Sequence, residues 1–299
     1  MKPTEVLDRL AAINVWSKGS QRAPHKPLLL LMALARCSRG EPREMPYKDV
    51  DTRLRALLNE FGPARKSVHP EYPFWRLQND GIWVVRDADA LARRQGHDDP
   101  LKSELLKLNP PGGLTVEIDR ALRKDRRLLA DAAGAILEAH FPHSLHDDIL
   151  AAVGLDLEAA AGATATRAKR DPAFREKVLR AYERRCAVCG FDLRLGTVDV
   201  ALEAAHIMWH QAGGPDIECN GLALCSLHHK LLDRGAFTVS AERRVLVSQE
   251  VSGSEGVQEH LLRFHAGPVR EPQSAEYLAQ PEFLRWHGRE VFRGPARVA

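Results

Sequence analysis

The chain has 299 residues, of which 44% are hydrophobic and 28% charged, with a net charge of +3. That is an ordinary soluble globular composition at a length that suggests two domains. It excludes a membrane protein, since no apolar run approaches the ~18–20 residues of a span, and a charge this small does not by itself announce a nucleic-acid binder.

Residues 4–13 carry Val6, Leu7, Leu10 and Ile13 on one side and predict an amphipathic helix. The opening residues lead straight into it without an apolar signal core, so a cytosolic protein is expected. Residues 18–27 break the pattern, and a buried helix is expected from about Pro27 through the apolar run Leu28–Ala35. Proline suits a first helical turn, where its missing N–H has no partner anyway. A third helix is expected over about 50–61. Residues 72–85 read as a β-hairpin with Asn79-Asp80-Gly81 as its turn. Helices fill about 115–154 with a break at Phe141-Pro142.

Small residues without an apolar period over 158–166 read as a linker. A second domain then opens with Asp171 as N-cap and Pro172 at the first helical position. Its helix turns Phe174, Val178, Ala181 and Tyr182 inward and is expected to end at Cys186. A strand leads to His206, a polar loop holds Asn220, and a helix starts at His229. A hairpin over 237–247 and a helix near 283–287 complete the pattern. Basic clusters occur at 123–127 and 167–170, and each is either a solvated face or a local nucleic-acid contact. The fold class is α+β, with a mainly helical first domain at 1–156, a linker at 157–171 and a second domain at 172–299.

Four of the five cysteines lie within 40 residues, and an odd number in a cytosolic chain argues against a disulfide framework. Cys186-Ala-Val-Cys189 is followed 36 positions later by Cys225-Ser-Leu-His228. A C-x2-C knuckle and a C-x2-H pair supply a tetrahedron of soft and borderline donors that suits structural Zn²⁺. A redox pair would leave Cys225 and His228 unexplained. Cys219 has no partner at knuckle spacing. Loss of the metal is expected to unfold so small a domain.

Interleaved with this clamp are His206, Asn220 and His229, spaced 14 and 9 apart. The stretch from Glu203-Ala-Ala-His206-Ile to Asn220-Gly-Leu-Ala-Leu-Cys225-Ser-Leu-His228-His229-Lys230-Leu-Leu-Asp233 closely resembles the HNH endonucleases. It is most similar to modification-dependent restriction enzymes of the McrA type, over about 170–290. The resemblance implies a ββα-metal unit in which His206 is the general base, Asn220 braces the loop and orients His206, and His229 binds a catalytic divalent ion: Mg²⁺, Mn²⁺ or another transition metal. Many such sites carry an acidic ligand just before the first histidine, where this chain has Ala205. Glu203 or Asp233 would replace it, and the sequence does not choose. His210 reads as a bystander.

In the first half, Arg22-Ala-Pro-His25-Lys26-Pro27 and His69-Pro70-Glu71-Tyr72-Pro73-Phe74-Trp75-Arg76-Leu77 resemble the sulfur-binding domain that precedes HNH nucleases acting on phosphorothioate-modified DNA. That resemblance covers about 1–150. It implies an apolar wall of Tyr72 and Pro73, with Trp75 beside it, that accepts sulfur more readily than the better-hydrated oxygen. Arg22, His25, Lys26 and Arg76 would hold phosphates or guanine edges. Phe74 and Trp83 read instead as core aromatics.

The resemblances together imply a type IV-like restriction endonuclease that binds double-stranded phosphorothioate DNA and hydrolyses nearby phosphodiester bonds. One site cuts one strand, so duplex cleavage favours a homodimer or two recruited molecules. The rival readings are an HNH nuclease directed at another mark, such as a modified cytosine, and a non-catalytic zinc-containing DNA-binding protein.

Overall fold

The computed structural model describes residues 1–16, 19–65, 67–94, 96, 98–157 and 172–298. Beyond residue 157, the expected linker lies outside these residues, as do the basic run 167–170 and the Asp171 cap. The architecture is α+β, and it divides into two units. The first comprises 1–18, 23–140 and 146–167, and the second comprises 19–22, 141–145 and 168–299. No helix of the described residues is long and apolar enough to cross a membrane.

In the first unit the helix His25–Ser38 is the centrepiece, with every residue from Pro27 to Ala35 buried. A helix apolar on all faces needs neighbours on all faces. Here they include the helices Tyr47–Phe61, Glu71–Arg76, Val116–Lys124 and Arg126–His140. The helix Pro3–Ala11 packs on Val116–Lys124 and Arg126–His140 and turns Val6 and Leu10 inward, while Glu5 and Arg9 pair on its outer face at 2.9 Å. A further helix, His146–Val153, follows the break at Phe141-Pro142.

The expected hairpin over 72–85 is not formed. Glu71–Arg76 is helical and continues as a 3-10 turn over Leu77–Asp80. Gly81 takes a left-handed conformation, φ 69°, and so ends this helical segment. Only Trp83–Val85 is extended, and it pairs with Pro111–Leu114, which also pairs with Glu44–Pro46. The middle strand of this sheet is Pro-Gly-Gly-Leu, a composition with little strand propensity of its own. Packing explains the glycines. A Cβ at Gly112 would lie 2.8 Å from the Phe74 ring and 2.9 Å from Trp83 Nε1. The aromatic residues of 72–83 do form core: Phe74 meets Tyr47 edge-on at 5.0 Å and Trp83 at 6.1 Å.

In the second unit the helix Pro172–Ala181 buries Phe174, Val178, Leu179 and Ala181. It stops short of the expected end at Cys186, because Glu183 and Arg184 adopt positive φ and turn the chain into the Cys186 knuckle. The strands Leu202–His206 and Gly221–Cys225 pair antiparallel, with His206 opposite Gly221 and Leu202 opposite Cys225. The helix Ser226–Asp233 follows at once. A second hairpin joins Phe237–Val239 to Val245–Val247, and the helix Pro281–Glu290, which buries Phe283, Leu284, Trp286 and His287, packs on its first strand, where His287 meets Thr238.

Candidate active site

The turn at Cys186–Cys189 and the N-terminus of the helix Ser226–Asp233 bring four donors together: Cys186, Cys189, Cys225 and His228. Their ligand atoms all lie within 4.8 Å of one another. Cys225 Sγ is 3.1 Å and Cys186 Sγ 3.7 Å from His228 Nδ1, and Cys189 Sγ is 4.0 Å from Cys225 Sγ. Tetrahedral zinc, with bonds of about 2.3 Å to sulfur and 2.0 Å to nitrogen, needs edges of roughly 3.5–3.8 Å, so the donor set could hold zinc. Hydrogen bonds from Cys189 and Cys225 hold the Cys186 thiol far below its usual range, which favours the thiolate a metal needs. His228 Nε2–H donates to His260 O at 2.9 Å, which fixes Nδ1 as the lone-pair nitrogen facing the sulfurs. Cys219 is buried outside this cluster.

The paired strands place His206 and Glu203 on one ribbon and the helix Ser226–Asp233 brings His229 against it. His229 is buried, with Nδ1 2.6 Å from Glu203 Oε2 and Nε2 3.2 Å from Asp233 Oδ2. Burial on its own would lower its pKa, but Asp233 and Glu203 outweigh it and raise the value to about 9. The two carboxylates are unlike each other. Asp233 is 2% exposed and accepts a hydrogen bond from the Ser144 hydroxyl, whereas Glu203 is 39% exposed and accepts one from Ser226.

Asn220 is fully buried and spends its whole side chain on the loop that follows His206. Its Oδ1 accepts from Met208 N–H at 2.9 Å, and its Nδ2 donates to Met208 O and to Pro215 O, both at 3.0 Å. His206 is held from two sides. The Phe174 ring stacks on it at 4.0 Å and 13°, and Nε2–H donates to Asp216 Oδ1 at 2.7 Å. His210 also reaches Asp216, at 3.3 Å. Asp216 was invisible in the sequence, where it is one of several acidic loop residues, and only loop closure by Asn220 brings it to His206. His210, read as a bystander, is therefore part of the same cluster.

The residues expected to read DNA are divided between the two units, Arg22 in the second and the others in the first. Arg22 belongs to the second unit, where its guanidinium lies 3.8 Å above the Trp209 ring and donates to Glu290 O at 2.9 Å. Lys26 is engaged structurally: Nζ donates to Asn14 O at 2.7 Å and pairs with the nearly buried Asp80 at 2.5 Å. Pro73 is buried, so it forms no exposed wall. Burial and the nearby His69 lower the His25 pKa to about 4, so at neutral pH it offers no positive charge to a phosphate.

Tyr72, Trp75 and Arg76 do stay together, with partners from residues 93–102 that carried no sequence signal. Arg76 lies 4.5 Å over the Tyr72 ring and grips Asp99 through two bonds of 2.9 and 2.6 Å. Arg94 donates to the Tyr72 hydroxyl at 2.9 Å, and Arg93 lies 4.2 Å over the Trp75 ring. The geometry is a half-buried Tyr72 ring flanked by guanidinium groups, chemistry suited to a polyanion with an apolar feature, whereas Trp75 is buried like Pro73. In the basic cluster at 123–127, Arg123 is tied to Asp119 at 2.8 Å and to Glu41 O at 2.6 Å.

Comparison with known proteins finds a family-model match in each half. Residues 3–158 match the model of the ScoMcrA-like DNA sulfur-binding domain, and residues 186–240 match the HNH endonuclease model. Among solved structures, the sulfur-binding domain of ScoMcrA complexed with phosphorothioated DNA is 23% identical with a TM-score of 0.45, covering 52% of this chain and 98% of that one. The type IV phosphorothioation-dependent restriction endonuclease ScoMcrA is 24% identical with a TM-score of 0.43, over 59% of this chain and only 38% of that one. The modification-dependent TagI restriction endonuclease is 25% identical with a TM-score of 0.31, over 44% and 41%. No curated protein matches the chain. With a family model matched over more than half its length, the chain belongs to the ScoMcrA-like family of DNA sulfur-binding domain proteins, and it carries an HNH endonuclease segment behind that domain.

Proposed function

We propose that this protein is a modification-dependent restriction endonuclease whose first half binds phosphorothioate DNA and whose second half hydrolyses phosphodiester bonds near the mark. The observation that carries the reading is one ββα unit behind a Cys3His cluster, holding an oriented imidazole, His206, and a second imidazole, His229, beside carboxylates. Covalent tethering keeps the nuclease at high local concentration around marked DNA.

His206 acts as general base. With Nε2–H committed to Asp216, the neutral ring keeps its lone pair at Nδ1 for a proton from the attacking water. Asn220 holds the loop that carries Asp216 and so maintains this tautomer. His229 and Glu203 hold the catalytic cation, and the solvent exposure of Glu203 suits a ligand that also faces substrate. Asp233, buried and bonded to Ser144, faces the other ring nitrogen and acts as the group that orients His229. Glu203 thus takes the part left open at Ala205. When bound, the cation supplies charge neutralisation for the phosphate and the leaving oxygen. The Cys186, Cys189, Cys225 and His228 cluster holds structural zinc.

For the reader, the family match over 3–158 supports DNA sulfur binding, and Tyr72 and Arg76 with Arg93 and Arg94 are its contact surface, with the buried Trp75 under Arg93. An aromatic face disfavours a strongly hydrated oxygen more than a sulfur, and the arginines hold the flanking backbone. Tyr72→Ala should reduce the preference for modified over plain duplex while leaving cleavage chemistry intact. An equal loss on both duplexes in a binding titration would make Tyr72 a general backbone contact.

A further inference from the structure

We propose that His206, His210 and Asp216 form a site for a zinc-like transition-metal ion, and that its occupation switches off the candidate general base. The metal site itself stands on geometry alone, while the inhibitory consequence rests on the proposed role of His206.

The three side chains converge although they come from different places: the end of a strand, a single 3-10 turn at His210–Ala212, and the loop beyond it. One donor atom from each lies within 4.8 Å of the other two. Asp216 Oδ1 is 2.7 Å from His206 Nε2 and 3.3 Å from His210 Nδ1, and the two imidazole rings are 6.1 Å apart and tilted by 52°. Two imidazoles and a carboxylate are a donor set that favours zinc, copper or nickel over magnesium. The side chains are 23%, 66% and 33% exposed, so an ion reaches them from solvent and water completes its coordination.

The arrangement is pre-formed. Asn220 pins the loop at both ends, at Met208 and at Pro215, the neighbour of Asp216. The turn closes through Gly213 N–H to His210 O at 2.9 Å and Gly214 N–H to Trp209 O at 3.0 Å. Phe174 stacked on His206 restricts that ring further. Little ordering is left for a bound ion to impose.

The consequence follows from the imidazole itself. A neutral ring has one N–H and one lone pair. An ion on Nε2 takes the lone pair there, so the remaining proton moves to Nδ1. The ring then has no lone pair for water. Asp216 changes from the acceptor that keeps the base correctly protonated into a ligand of the ion that removes it.

The test uses the full chain, with wild type and His210→Ala compared, since His210 lies outside both the clamp and the proposed catalytic set. Each is dialysed against micromolar free Zn²⁺ and the bound zinc per chain is counted. The wild type should hold one ion more than His210→Ala, and equal stoichiometry overturns the site. In a second arm, Mg²⁺-supported cleavage of a modified duplex is titrated with Zn²⁺. His210→Ala should need on the order of tenfold more zinc for the same inhibition, and equal sensitivity overturns the blocking role. If neither protein cuts even without zinc, the nuclease reading fails, while dialysis still decides the site.

Discussion

His206 and His229 both face carboxylates, yet their surroundings ask different things of them. His206 is partly exposed and meets Asp216 through Nε2, which sets the tautomer of its neutral ring. His229 is buried with a carboxylate at each nitrogen, an arrangement that favours a held cation, whether a proton or a metal. His206→Ala should therefore lower the cleavage rate by about 10²–10⁴-fold with binding to modified DNA unchanged, measured by single-turnover cleavage and by titration. Persistent cutting would remove His206 from the mechanism. Lys26 offers the opposite test. Its ion pair with Asp80 is 13% and 6% exposed, so Lys26→Met should cost about 3 kcal/mol of stability by stranding the carboxylate. The preference for modified DNA should survive. A stable Lys26→Met protein that had lost that preference would return Lys26 to the contact surface.

His287 gives a pH dependence of known sign. It is buried, donates Nε2–H to Leu232 O at 3.1 Å and receives the Thr238 hydroxyl at Nδ1 at 2.8 Å, a pattern satisfied by the neutral ring. Burial lowers its pKa from 6.5 to about 4. Between these values the unfolded chain takes up a proton that the folded chain refuses. The stability it contributes is complete above pH 6.5 and falls as pH drops toward 4, by at most ~3 kcal/mol. Denaturant titrations at pH 7.5 and 5 should show a smaller loss in His287→Gln than in wild type, and parallel losses would contradict this.

At the scale of elements, the legibility of the chain depended on how far apart its partners lie. The Cys3His cluster was visible because a knuckle needs two cysteines at fixed local spacing. The helices at 3–11, 25–38 and 47–61 were visible because each buries a stripe or, for the second, its whole surface. Residues 71–85 were misread because their aromatics and the Asn-Asp-Gly signal mimic a hairpin, while the strand that pairs with Trp83–Val85 is Pro111–Leu114, remote and glycine-rich. Gly112 answers to the Phe74 ring and Gly113 to the Arg43 backbone, both tertiary facts. Asp216, Arg93 and Arg94 were missed for the same reason, while Arg22, close to His25 in sequence, falls in the other unit. Gly112→Ala should cost about 1–3 kcal/mol, since the added methyl meets two rings, as read by thermal unfolding. The clamp makes a sharper claim. Chelation strong enough to strip zinc should abolish the unfolding transition of residues 172–298 and leave that of the first unit.

For the whole molecule, the central claim is that recognition and cutting reside in one chain, with a sulfur-binding-domain match over 3–158 and an HNH match over 186–240. A single active site severs a single strand, so two molecules meeting at a marked duplex are needed for a double-strand break, and cleavage should rise more steeply than linearly with protein concentration. The most direct measurement is cleavage of matched duplexes, one carrying a phosphorothioate and one without, by the purified full chain in Mg²⁺ or Mn²⁺. Cutting confined to the modified duplex and lost in His206→Ala is the predicted result. Equal cutting of both duplexes, or binding to the modified duplex with no cutting under either metal, would contradict it.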